Sequence, residues 1–220
     1  MTLMTNADIW HMAWNGCITS SLATAICYPL DTIKTSLQAT GKLPRIPHIR
    51  SLYRGCSPEL MGNVASGTAY WSVYQTMRDC NYSPFLSSIT SAAVCNIIDT
   101  PFDIYKKQRQ LHITTSLHKS IVTRFSLASV CYSTVYNGIY MPLLHHLTIE
   151  KDMHRTLAIA ICSTTASIAT YPVDRWRTRV VAPNTTSIPW YKGLMYRILY
   201  GNIYSGLYMH ILLYLTNGTL

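Results

Sequence analysis

The sequence predicts an all-α membrane protein with six transmembrane helices in three pseudo-symmetric two-helix repeats. The first observation is a six-residue pattern, Pro-x-Asp-x-x-basic, that begins at Pro29, Pro101 and Pro172. Its copies start 72 and 71 residues apart, and a near-constant period of this kind indicates a repeated structural unit. The second observation is that each copy follows a long stretch without Lys, Arg, Asp or Glu. The period predicts the three repeats, and the uncharged stretches predict the transmembrane helices.

Six stretches lack all four charged residue types, two in each repeat. They are residues 9–30, 60–77, 82–98, 125–149, 156–173 and 198–220. A membrane-spanning helix needs about 20 mostly apolar residues, with about 17 as the lower limit, so each stretch is long enough. They are rich in Ser, Thr, Gly, Asn and Tyr, which suits helices that pack on one another or line a wet cavity. A soluble helical bundle is the alternative, and six such stretches disfavour it.

The basic residues lie on one side of this predicted topology. Fifteen of the 18 Lys and Arg residues fall after the first, third and fifth stretches, which leaves Arg78, Lys151 and Arg155 on the other side. This asymmetry is typical of the positive-inside rule and places both termini on the side poor in basic residues. The net charge of +9 therefore does not indicate nucleic acid, since no basic stripe with base-reading residues is present.

The repeats are predicted to be residues 1–80, 81–152 and 153–220, within a single membrane domain. The three motif prolines each remove one helical hydrogen bond and are expected to kink their helices. In each motif the acid and the base lie one turn apart on one helix face. Three such helices around an axis would form a ring of ion pairs that closes one end of the bundle. The ring residues are Asp31, Lys34, Asp103, Lys106, Asp174 and Arg177.

Three such motifs at the ends of the first, third and fifth helices resemble the mitochondrial carrier family, and the resemblance covers the whole chain. It implies that the six residues act as a matrix salt-bridge gate. It also implies that Gln38 and Gln110, four residues after the motif cation, brace the gate. Repeat three has Val181 at that position, so one brace is missing.

A short aromatic-basic-Gly element precedes two of the even-numbered helices. The copies are Tyr53, Arg54, Gly55 and Tyr191, Lys192, Gly193, whereas repeat two departs from the pattern with residues 123–125. By the same resemblance, the backbone amides of this element hold membrane lipid, namely cardiolipin phosphate, at a helix N-terminus.

The resemblance also indicates where a substrate cavity would be. The matching positions are Thr24, Gly62, Asn63, Asn96, Ser133, Thr134, Ser167, Gly201 and Asn202. None is charged, and a partly desolvated anion needs charged partners, so a small neutral or weakly charged solute is expected. Asp99 is the one deep charge, and it is expected to join the nearby cations. Gly67, Gly138 and Gly206 are expected to allow close helix packing.

Two functions from different classes remain open. The resemblance implies a second gate, an aromatic-acid-x-x-basic element on each even-numbered helix, but no complete copy is present, and repeat one has Gln75 in place of the acid. The connecting loops are also shorter than the family's. The missing second gate, the uncharged cavity and the short loops favour a degenerate carrier that serves as an accessory subunit of a respiratory-chain or ATP synthase assembly. The alternative is a solute transporter that works by alternating access. No catalytic constellation, cofactor motif or metal-ligand spacing is present, so an enzyme is not expected. The resemblance implies a multi-pass protein of the mitochondrial inner membrane with both termini toward the intermembrane space.

Overall fold

A computed structural model describes residues 6–44, 48–113, 119–151, 153–182 and 189–215, and these residues are almost entirely helical. The six long helices are α1 (Asn6–Thr40), α2 (Cys56–Asp79), α3 (Pro84–Leu111), α4 (Lys119–His145), α5 (Arg155–Val181) and α6 (Leu194–Leu215). A 3₁₀ turn at Ile49–Tyr53 precedes α2, and a π-helical turn at His146–Glu150 extends α4. The predicted all-α class is confirmed.

The helices close into a barrel. Each helix packs on the next one along the chain, and α6 returns to pack on α1. The odd-numbered helices α1, α3 and α5 also contact one another, so they converge at one point of the barrel. The division into three repeats remains a prediction, although the pairing of helices in chain order is consistent with it.

The motif prolines lie inside helices that continue beyond them. Pro29, Pro101 and Pro172 are internal to α1, α3 and α5, and each of these helices extends through its acidic and basic motif residues. A proline removes one backbone hydrogen bond without ending a helix that is held by packing on both sides. The charged motif residues are therefore presented on regular helical turns.

Membrane crossing is only partly reflected in hydropathy. Among the described helices, one, Arg155–Val181, is long and apolar enough to cross a membrane by length and composition. The other stretches are uncharged, but their Ser, Thr, Gly and Asn content lowers their mean hydropathy. The six-span topology therefore remains a prediction.

The small residues of the even-numbered helices do not all serve one purpose. A Cβ added at Gly67 would lie 2.9 Å from the Cys17 sulfur, so this glycine does allow α1 and α2 to approach closely. At Gly138 and Gly206 no atom of the described residues would lie within 4 Å of an added Cβ. The prediction that these two glycines permit close packing is therefore wrong, because their side of the helix faces open space.

Candidate functional site

Three acids and three cations from α1, α3 and α5 meet in a closed ring, which we call the ionic ring. Lys34 lies 3.4 Å from Asp174, and Lys106 lies 2.8 Å from Asp31. Arg177 pairs with Asp103 and completes the circuit. Each pair joins two different odd-numbered helices, and the exposed fractions of the side chains run from 3% to 14%. The ring thus fastens the three helices together in a buried layer.

Two glutamines lie beside the pairs of the ionic ring. Gln38 donates from Nε2 to Asp174 at 3.0 Å and accepts a hydrogen bond from the Thr178 hydroxyl. Gln110 donates to Asp31 at 3.2 Å. At the third pair Val181 is buried in an apolar cluster with Ile104 and Phe125. Two ion pairs are therefore supported by amide donors, and the third lies against an apolar contact.

The even-numbered helices add two charges that the sequence reasoning missed. Glu59 of α2 lies 2.9 Å from Lys106, and Arg197 of α6 lies 3.8 Å from Asp174. Each residue follows the glycine of an aromatic-basic-Gly element by four positions, one helical turn. That spacing was a usable signal, because it places both side chains on the turn that follows the start of the helix.

These groups surround a small charged cavity of about 160 Å³ at the ionic ring. Its lining contains five acids, Asp31, Glu59, Asp99, Asp103 and Asp174, and five cations, Lys34, Lys106, Lys107, Arg177 and Arg197. The layer is therefore neutral as a whole, although its charges are buried. Asp99 lies in this layer, as the sequence predicted.

Burial and neighbouring charges shift the pKa values of ionisable side chains that lie outside the uncharged stretches. Burial alone would raise the pKa of Asp31, but Lys106 and Lys34 outweigh it and hold this pKa well below its ordinary value. Burial lowers the pKa of Lys107; Asp103 opposes that effect, whereas Lys34 adds to it. Asp31 is thus held in its charged form by Lys34 and Lys106, the two cations with which it pairs.

A larger cavity of about 480 Å³ lies between α4 and α6, and it shares Tyr132, Tyr200 and Arg197 with the charged cavity. Its walls carry two rows of tyrosines at four-residue spacing, Tyr132, Tyr136, Tyr140 and Tyr200, Tyr204, Tyr208. We call it the tyrosine cavity. It ends at the ionic ring, so a solute inside it would lie directly against the charged layer.

The nine predicted cavity positions fall into different environments. Ser133 and Gly201 line the tyrosine cavity. Most of the others make contacts between adjacent helices instead: Asn63 donates to Thr24 at 2.9 Å, and Asn96 donates to Ser133 at 2.8 Å.

The remaining predicted positions also make contacts between helices or are exposed. Asn202 hydrogen-bonds Thr164, and Thr134 is exposed. Gly62 and Gly201 allow close approach of Asp99 and Ser167, whose oxygens would lie 2.4 Å and 2.7 Å from an added Cβ. A helix turns about 100° per residue, so the tyrosines at neighbouring positions take the cavity face.

The predicted lipid-binding elements have defined structures at the starts of α2 and α6. Gly55 and Gly193 have φ of 89° and 92°, a conformation that favours glycine. The Tyr28 hydroxyl donates to the Arg54 carbonyl at 3.0 Å, and the Tyr171 hydroxyl donates to the Lys192 carbonyl. Each tyrosine precedes a motif proline, so the two motifs of a repeat are joined directly.

The side chains of these elements are partly engaged. Arg54 lies 2.5 Å from the His112 ring, and Lys192 donates to the Gly41 carbonyl at 3.0 Å. Tyr53 stacks on Tyr28, and Tyr191 is exposed beside Trp190. A hollow of about 510 Å³ adjoins Gly55 between α2 and α3.

The barrel of six helices, with an ionic ring at the convergence of α1, α3 and α5, is consistent with the fold of the mitochondrial carrier family. The sequence pattern of the family described as mitochondrial carrier protein matches residues 5–83. An uncharacterized mitochondrial carrier of Schizosaccharomyces pombe is 22% identical, with 84% of this chain and 69% of that protein covered. This chain is therefore similar to mitochondrial carriers, through the family pattern over residues 5–83 and through relatives that match most of its length.

Two relatives have names that state a transported compound. Mitochondrial ornithine transporter 1 of Schizosaccharomyces pombe is 22% identical, with 82% of this chain and 81% of that protein covered. Nicotinamide adenine dinucleotide transporter 2 of Arabidopsis thaliana is 26% identical, with 57% of this chain and 42% of that protein covered. These relatives are transporters rather than enzymes.

Proposed function

We propose that this chain is a solute transporter that works by alternating access in the mitochondrial inner membrane, with six spans and both termini toward the intermembrane space. The observation that carries the proposal is a cavity that ends on a closed ring of interhelical ion pairs. In this proposal the ionic ring is the matrix gate, and the tyrosine cavity is the solute site in the state with the gate closed.

The energetics are compatible with a small solute. Moving a two-state equilibrium from mostly closed to mostly open takes about 5.5 kcal/mol of differential binding. Neutral hydrogen bonds contribute about 0.5–1.5 kcal/mol each, and those to charged groups about 1.5–3 kcal/mol. A few hydrogen bonds to the tyrosines together with one contact to Arg197 reach that range.

One of the observations that favoured the accessory-subunit hypothesis does not apply to the tyrosine cavity. It relied partly on an uncharged cavity, and the tyrosine cavity includes Arg197. The names of the relatives also favour transport. Docking on a respiratory-chain or ATP synthase assembly therefore becomes the second candidate, and the aromatic-basic-Gly elements are proposed as cardiolipin sites under either function.

The deciding experiment uses proteoliposomes that contain the purified chain. They are incubated with the small-molecule fraction of mitochondria, and uptake is read by mass spectrometry against protein-free liposomes. Asp31→Ala and Asp174→Ala should abolish uptake, whereas Asp79→Ala, an exposed acid at the end of α2, should retain it. Melting temperatures of all variants separate loss of transport from loss of fold.

Absence of any solute enrichment in the wild-type proteoliposomes would contradict transport. Co-migration with a large complex on native gels of mitochondria, resistant to salt, would then favour the accessory role. Unchanged uptake in both aspartate variants would instead remove the gating role from the ionic ring while leaving transport in place.

A further inference from the structure

The tyrosine cavity has walls of an unusual kind. Along α4 the Tyr132–Tyr136 and Tyr136–Tyr140 ring centroids are 5.9 and 5.6 Å apart, with interplanar angles of 24° and 13°. Along α6 the Tyr200–Tyr204 and Tyr204–Tyr208 pairs stack similarly, at 5.7 and 6.2 Å. The ring planes along each helix are close to parallel. The cavity is therefore lined by aromatic rings and their hydroxyl groups.

Aromatic rings and hydroxyls favour a particular chemistry. Aromatic pairs prefer offset-stacked or edge-to-face arrangements, so a row of tyrosine rings packs well against another planar π-system. A tyrosine hydroxyl donates or accepts a hydrogen bond. Two rows of this kind suit a planar, conjugated molecule. They do not suit an organic cation, because the Arg197 guanidinium already lies over the rings of Tyr132, Tyr136 and Tyr200 and would repel it.

Arg197 lies where the tyrosine cavity meets the ionic ring, and not all of its N–H donors are used within the described part of the chain. It is 4% exposed, and it donates to the Tyr132 hydroxyl. Its guanidinium lies 5.3 Å from the Tyr132 ring centroid and 5.9 Å from that of Tyr200. Its Nε has no hydrogen-bond partner among the described residues, and the Asp174 oxygen is 3.8 Å away. A guanidinium has five N–H donors, and an anion is the partner that best satisfies them.

The buried charges are also distributed unevenly around the ionic ring. Asp174 is surrounded by Lys34 at 3.4 Å, Arg197 at 3.8 Å and Arg177 at 4.0 Å. Lys106, by contrast, has two acids, Asp31 and Glu59, within 3 Å. The layer is neutral overall, but its cationic half lies on the side of α5 and α6. The tyrosine cavity opens onto that half, because α6 forms one of its walls.

Building on the proposed transport function, we propose that the tyrosine cavity selects a planar, conjugated monocarboxylate whose carboxylate binds Arg197. The carboxylate would take the place of the distant Asp174 oxygen as the acceptor for Nε. Asp174 would then lose one of the cations around it, so solute binding would act directly on an acid of the ionic ring. Arg197 is thus assigned as the residue that determines specificity and links the cavity to the ring.

The test compares three para-substituted phenols of similar size and different charge. They are 4-hydroxybenzoate, 4-hydroxybenzamide and 4-hydroxybenzylamine, added to the purified full chain in mild detergent. The readout is the melting temperature with and without probe, so that each variant is its own reference. At about ten times its dissociation constant, the carboxylate should raise the melting temperature by about 3 °C, and the amide and amine should have little effect.

Variants assign the effect to the residue. Arg197→Gln should abolish the shift caused by 4-hydroxybenzoate, and Arg197→Lys, which keeps the charge without the planar fork, should reduce it. Tyr136→Phe and Tyr204→Phe remove single hydroxyls and should weaken it by several-fold in apparent affinity. The matched control is Arg179→Gln, an exposed arginine of α5, which should keep the full shift.

The outcomes are separable from those of the transport test. A shift with the amide or the amine equal to that with the carboxylate, or a full carboxylate shift in Arg197→Gln, would overturn this inference. So would the lack of a shift with all three probes. In each case the uptake experiment on mitochondrial small molecules still decides whether the chain transports any solute.

Discussion

At the scale of single residues, the ionic ring depends on neighbours that have no charge. Gln38 is fully buried and bonds both Asp174 and Thr178. In Gln38→Ala the Thr178 hydroxyl would lose its acceptor on α1, and Asp174 would lose a donor. Leaving buried polar groups in this condition costs about 1–3 kcal/mol, so the melting temperature should fall by several degrees.

A matched glutamine provides the control for that measurement. Gln75 donates to Asp79 one turn away, and Asp79 is exposed at the end of α2. Gln75→Ala should change the free energy of unfolding by less than about 0.5 kcal/mol. Equal losses in the two variants would show that the Gln38 contacts contribute nothing beyond an ordinary surface hydrogen bond.

Glycines in different settings should respond to alanine with opposite signs. Gly55 has φ of 89°, and an added Cβ would lie 2.9 Å from both the Lys106 carbonyl oxygen and the Tyr28 hydroxyl. The left-handed conformation alone costs about 1–2 kcal/mol for a residue with a Cβ, so Gly55→Ala should be clearly destabilising. The measurement is the midpoint of thermal unfolding.

Gly138 is the counterpart within a regular helix. Within the part of the chain that the structure describes, no atom would lie within 4 Å of its added Cβ, and alanine is favoured over glycine in a helix by up to about 1 kcal/mol. Gly138→Ala should therefore be neutral or stabilising. A loss of stability at Gly138 as large as that at Gly55 would contradict the structural distinction between the two positions.

At the scale of helices, one hydrogen bond between polar side chains recurs in the three pairs α1–α2, α3–α4 and α5–α6. Asn63 bonds Thr24 between α2 and α1, Asn96 bonds Ser133 between α3 and α4, and Asn202 bonds Thr164 between α6 and α5. Lipid tails are as apolar as the helix surfaces, so helices in a membrane associate through small residues and interhelical hydrogen bonds. Each bond should hold its two helices as one unit.

A double-mutant cycle on α5 and α6 tests this role. Thr164→Ala and Asn202→Ala should each lower stability, and the double variant should lose less than the sum by about 0.5–1.5 kcal/mol. The comparison pair is Thr164→Ala with Asn63→Ala, which belong to different helix pairs and should be additive. Additivity in both cycles would indicate that the Thr164–Asn202 bond contributes no coupling.

The same helices show which parts of the site could be predicted from the sequence. The ring residues were predictable, because acid and base lie one turn apart at nearly equal spacing on three helices, and Gln38 and Gln110 were predicted from the resemblance to the mitochondrial carrier family. The cavity wall was predicted only in part: Ser133 and Gly201 line it, whereas tyrosines at neighbouring helix positions form most of the wall. Arg197 and Glu59 were missed because they lie on the even-numbered helices, outside the motif that set the period.

At the scale of the whole molecule, the ionic ring separates two regions of the bundle. Ser205 lines the tyrosine cavity, whereas Ala39 lies next to Gln38 and is 1% exposed. With the ring closed, a small thiol reagent in solution should label Ser205→Cys and leave Ala39→Cys almost unlabelled. The seven native cysteines set a background that is measured on the same chain without the added cysteine.

Opening the ring should reverse that protection. Asp174 is the acid that three cations approach, so Asp174→Ala leaves buried cations in mutual repulsion, and removing one partner of a buried pair costs about 3–5 kcal/mol. Such a cost is similar to the roughly 5.5 kcal/mol that separates a mostly closed from a mostly open population. Ala39→Cys should therefore be labelled many times faster in the Asp174→Ala background, while Ser205→Cys should change little. Equal labelling of Ala39→Cys in both backgrounds would mean that other contacts than the ionic ring keep this end of the bundle closed.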